Sequence, residues 1–163
     1  MYYSAIGVLA ILILFIVNWD ILYEFRFSSD KPAWNVYRRF LFVVLMYYIT
    51  DALWGVLEDQ KLATALFVDT TIYFVVMAVG ISFWAEYTVA YLGEKSGFGR
   101  FLVYTGRIIA GAVGLLAIVN IFTPVLFTVD KKSEYNALPA RYVILSCQIL
   151  FLLIISGFPD CAV

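Results

Sequence analysis

The chain has 163 residues, of which 64% are hydrophobic, 18% aromatic and 14% charged, with a formal net charge of −1. That balance leaves no basic footprint for nucleic acid, and the lack of histidine removes the usual haem ligand and the commonest transition-metal ligand. With a mean hydropathy of +0.92, a soluble domain would have too few polar residues to coat its outside, whereas lipid wets apolar surface directly.

A membrane span takes about 20 residues at ~1.5 Å each. On that measure the sequence predicts an all-α, polytopic transmembrane bundle of about five helices, at 2–23, 38–57, 62–91, 101–127 and 141–157, forming one domain over 1–157. The first stretch, MYYSAIGVLAILILFIV, has no basic n-region and no small-x-small cleavage site, so it reads as a retained helix. Trp19, Ile21, Leu22 and Tyr23 extend it to spanning length. The third and fourth helices exceed what a bilayer requires, with Gly80 and Pro124 as weak points. The connections 24–37, 58–61, 92–100 and 128–140 collect Ser, Asp, Lys, Pro, Asn and Gly, as turns do. The tail 158–163, FPDCAV, reads as truncated or atypical, so the bundle looks like the front part of a longer protein. Cys147 and Cys161 read as small packing residues rather than a disulfide framework.

Orientation follows the placement of Lys and Arg. Arg26, Lys31, Arg38, Arg39, Lys95, Arg100 and Arg107 flank one side, and Lys61, Lys131, Lys132 and Arg141 the other. The excess predicts the N-terminus outside and the C-terminus in the cytoplasm, in a bacterial inner membrane.

Ionisable and amide groups at membrane depth are costly and are functional candidates by default. Asp51 lies seven residues before Glu58 and Asp69 eight after Lys61, so both fall about 10–12 Å below the outer surface. Asn120 and Gln148 reach the same level, with Thr50, Thr70 and Thr71 beside it and Tyr47, Trp54 and Tyr73 one turn away. This layer reads as a site for a small ligand or ion entering from outside, the two carboxylates sharing a proton or cation. The plainer reading is interhelical hydrogen bonding that fixes the bundle's register. Nearer the inner face, Glu86 and Arg107 stand at one depth on consecutive helices and are expected to pair. Gly106, Ala110 and Gly114 recur every four residues, a stripe that permits close packing within the bundle or in a homodimer. Most aromatics fall near span ends, where interfacial belts place them.

No Walker loop, GxGxxG, HExxH, GxSxG or CxxC occurs. GEKSGFGR at 93–100 lies between two spans without the strand that a phosphate cradle needs. The chain therefore does not read as an enzyme, and no cofactor or metal is expected.

The segments VYRRFLFVVLMYYITDALWGVLEDQKL at 36–62, DTTIYFVVMAVGISFWAEYTVAYLGEKSGFGRFLVYTGRI at 69–108, NIFTPVLF at 120–127 and YNALPARYV at 135–143 resemble the N-terminal membrane region of bacterial GGDEF proteins, predicted diguanylate cyclases. The resemblance extends to about residue 157 and implies a membrane sensor that regulates a cytoplasmic cyclase making cyclic di-GMP. The GGDEF segment itself is absent from these 163 residues. A small ion-coupled transporter or channel subunit using Asp51 and Asp69 is the alternative expectation, and a purely structural membrane subunit the third.

Overall fold

The computed structural model describes residues 2–23, 32–93, 97–130 and 133–161. In chain order these form α1 (Tyr2–Val17), α2 (Trp19–Tyr23), α3 (Pro32–Asp59), α4 (Ala63–Tyr91), α5 (Gly97–Phe122), β1 (Phe127–Val129), β2 (Tyr135–Ala137) and α6 (Pro139–Cys161). Among the described residues, four helices are long and apolar enough to cross a membrane: α3, α4, α5 and α6. The chain is a multi-pass, all-α membrane protein with a small hairpin between its last two long helices.

The first expected span is divided. α1 has 16 residues, about 24 Å at the helical rise, against a hydrocarbon core of about 30 Å. The break falls at Asn18, whose side-chain amide donates to the Leu14 carbonyl at 3.1 Å. The backbone bonds from Asn18 N–H to the Leu14 carbonyl and from Leu22 N–H to the Asn18 carbonyl persist across the junction. The Asn18 side-chain Oδ1 also accepts the Tyr37 hydroxyl at 2.9 Å, pinning the junction to α3.

α4 is the centre of the bundle. It packs along α3 on one side and α5 on another, α6 rests on α4 and α5, and α1 lies against α3. Its buried positions include Ala78, Gly80, Ser82 and Ala85; small side chains let helices approach closely where no hydrophobic force drives them together. Two apolar clusters follow. Ile81, Ala85, Leu102, Phe151 and Ile155 fill the half away from the hairpin, and Phe74, Ala78, Val113, Leu126 and Phe127 the half beside it. Ile16, Val17 and Phe122 stand at least 72% exposed, as lipid-facing side chains do.

Glycines mark the closest approaches. A Cβ at Gly7 would lie 2.9 Å from the Cβ of Ala52, and one at Gly106 would lie 3.2 Å from the Cα of Ser82. The expected small-residue stripe is thus only partly used. Gly106 meets α4, Ala110 packs beside the Phe74 cluster, but a Cβ at Gly114 would meet nothing within 4 Å. Gly114 faces away from α4, which α5 still meets through Val113.

α4 runs unbroken through Gly80, whereas Pro124 is preceded by a real helix end. α5 stops at Phe122, five residues short of expectation, because the residue before a proline is driven out of the helical region. The chain then turns into β1, paired antiparallel with β2 in the register Phe127–Ala137, Thr128–Asn136, Val129–Tyr135. Ser133 takes a left-handed backbone at the tip, φ 63°. At the other boundaries, α3 starts at Pro32, where proline suits the first turn, and α6 extends to Cys161. Cys147 is exposed on α6 rather than packed; the side chain of Cys161 and residues 94–96 of the glycine-rich connection lie outside the described residues.

Candidate functional site beneath the hairpin

A cavity of about 180 Å³ opens among α3, α4 and α6 beneath the hairpin. Asp51 and Trp54, three residues apart, present one face of α3; Thr70, Tyr73 and Phe74 present one face of α4. β2 supplies Tyr135, and the first turn of α6 supplies Arg141.

Arg141 donates from Nη1 to the Tyr135 hydroxyl at 2.7 Å. Its guanidinium lies 5.2 Å from the centre of the Tyr135 ring and 5.8 Å from that of Phe74, within range of cation–π attraction. Nε is buried without a partner. Tyr135 stacks on Phe127 at 5.7 Å and meets Trp54 edge-on at 6.1 Å, so the cation is held in an aromatic wall. Burial pushes the Tyr135 phenol above its ordinary range, and the neighbouring Arg141 offsets only part of that rise. The phenol therefore keeps its proton at neutral pH.

The wall stays in place because of Asn120. This side chain is 3% exposed. Its Oδ1 accepts the backbone N–H groups of Val125 and Leu126 at 2.7 Å and of Phe127 at 3.4 Å. Its Nδ2 donates to the Phe127 carbonyl at 3.2 Å. Asn120, expected in the ligand layer, instead anchors the chain where α5 gives way to the hairpin.

The remaining expected residues divide. Asp51, Trp54, Thr70 and Tyr73 line the cavity together. Tyr47 joins from one turn below, its hydroxyl 3.0 Å from that of Tyr73. The hydroxyls of Thr50, Thr70 and Thr71 donate to the carbonyls of Tyr47, Leu66 and Phe67 on their own helices. Asp69 lines a different cleft, of about 680 Å³, with Lys61 and Thr64 below the α3–α4 turn. Its Oδ2 is buried without a partner. Asp51 and Asp69 thus line different cavities. Gln148 is 2% exposed, with both amide atoms unpartnered, and it lines neither cavity.

Sequence reasoning missed Arg141, Tyr135 and Phe74. Arg141 reads as a loop charge and Tyr135 as a belt aromatic until the hairpin folds back over the bundle. A usable signal was the arginine only two residues into an apolar helix, where its stem must run along apolar surface.

Away from the hairpin the expected ion pair is formed. Arg107 Nε donates to Glu86 Oε1 at 2.8 Å and Nη2 approaches the same oxygen at 2.7 Å. The Arg107 side chain is 59% exposed and that of Glu86 17%. Glu86→Gln or Arg107→Gln alone should reduce the membrane-inserted yield, since each leaves a charge against apolar surroundings. The swap Glu86→Arg with Arg107→Glu should restore most of it, as read by fluorescence-detected size exclusion.

No family model, curated protein or solved structure matches this chain.

Proposed function

We propose that the chain is a membrane input module that receives a small ligand from the outer side and governs a cytoplasmic diguanylate cyclase. The observation that carries the reading is the polar cavity at the outer end, where Asp51, Thr70, Tyr73, Tyr135 and Arg141 converge. Small-molecule sites are concave, largely apolar and furnished with a few convergent polar groups. The cyclase output rests on the sequence resemblance, and the orientation on the excess of basic residues at the opposite end. A second copy of the chain is the natural partner in this reading, since a cyclase joins two GTP molecules between two catalytic domains.

An input module holds its ligand and passes nothing. That Asp51 and Asp69 line different cavities supports this over an ion-coupled carrier. In proteoliposomes carrying a pH-sensitive dye, an imposed potential should drive no more proton or sodium movement than in empty liposomes. Flux that is lost in Asp51→Asn or Asp69→Asn would replace the input module with a carrier.

A further inference from the structure

We infer that the outer cavity takes a small zwitterion, its carboxylate against Arg141 and its ammonium against Asp51. This deepens the ligand-site reading above and rests on it. Two opposite charges line one space of about 180 Å³, yet among the described residues neither closes an ion pair. The guanidinium's one protein hydrogen bond goes to a neutral phenol, and its buried Nε has no partner. In a low-dielectric setting opposite charges attract strongly at contact distance, and an uncompensated buried charge is costly. A cavity that keeps both apart is complementary to a molecule carrying both signs. A simple anion would neutralise Arg141 and leave Asp51 bare, and a simple cation would do the reverse.

Shape and size narrow the class. The volume equals about six water molecules' share of liquid, which suits a short amino acid. Arginine's planar fork matches a carboxylate, and the Tyr135 hydroxyl, already accepting from Arg141, has its own proton left to donate. On the facing side Trp54 and Tyr73 flank Asp51, and aromatic faces attract an ammonium.

The test is thermal unfolding of the full chain in nanodiscs with alanine, γ-aminobutyrate, glycine betaine, acetate or methylammonium at equal millimolar concentration. At least one of the three zwitterions should raise Tm by several degrees through binding to the folded state, with acetate and methylammonium inert. Asp51→Asn, which preserves side-chain shape, should abolish the zwitterion shift. Arg141→Lys should weaken it at least tenfold in apparent affinity. Equal shifts from acetate and alanine in the unaltered chain would overturn the zwitterion while leaving a ligand cavity. A panel in which no zwitterion moves Tm would overturn it too, and the flux measurement would still stand or fall separately.

Discussion

Asn120→Ala should be the most damaging single polar substitution in the chain, lowering unfolding free energy by at least about 3 kcal/mol. One buried amide accepts three backbone N–H groups and donates to a carbonyl. Alanine removes all four bonds, and each buried group left without a partner costs about 1–3 kcal/mol. In a membrane no water replaces them. The loss falls on the segment that seats Leu126 and Phe127 against Phe74, Ala78 and Val113. Asn120→Asp keeps an acceptor for the N–H groups and should be intermediate. The measurement is thermal unfolding with Trp54 fluorescence as a second readout, since that ring meets Tyr135 of the hairpin. An alanine variant within about 0.5 kcal/mol of the parent, the usual range for an unimportant surface change, would mean that the hairpin holds without its anchor.

Gly7→Val should detach α1 from α3, at a cost of about 1–3 kcal/mol. Even the first added carbon would lie 2.9 Å from the Ala52 Cβ and 3.0 Å from its backbone N and Cα. Backbone cannot rotate aside as a flexible side chain can, so the helices must separate. α1 depends on this contact more than the longer helices depend on any one of theirs, because it packs chiefly on α3. Gly111→Val is the control: a Cβ there meets nothing within 4 Å, and it should be silent. Ala52→Gly should recover part of the stability lost in Gly7→Val, since it removes one of the three clashing atoms.

Depth along the chain was legible in the sequence; rotation about each helix was not. Counting residues from the span ends placed Glu86 opposite Arg107, and the two do pair. The same counting placed Asp51 and Asp69 at one level, but they face different cavities. Level is a single coordinate, and two side chains meet only when their helices also turn them toward each other. Gly106 and Gly114 make the point along one helix, since a Cβ at the first would meet Ser82 of α4 and one at the second nothing within 4 Å. The hairpin was hidden for another reason. Strands of three residues, FTV and YNA, are too short to show alternation, and apolar residues before them prolonged the fourth span on paper to residue 127. With the hairpin unseen, Asn120 had no backbone to anchor and Arg141 had no aromatic wall. Likewise hydropathy does not register the turn at Asn18 that divides the first span.

The central claim is a cavity that opens to the outer side alone, and chemical access to Thr70 tests it most directly. Thr70 is 4% exposed yet lines the cavity, and cysteine replaces threonine with little change in volume. Thr70→Cys would be made in a background of Cys147→Ser and Cys161→Ser, with Ala85→Cys, at 0% exposure, as the sealed control. A charged, membrane-impermeant maleimide should label position 70 in vesicles that present the hairpin end to the reagent, and not in inverted ones, with position 85 silent in both. Labelling of position 70 from the opposite side, or from neither, would contradict the account.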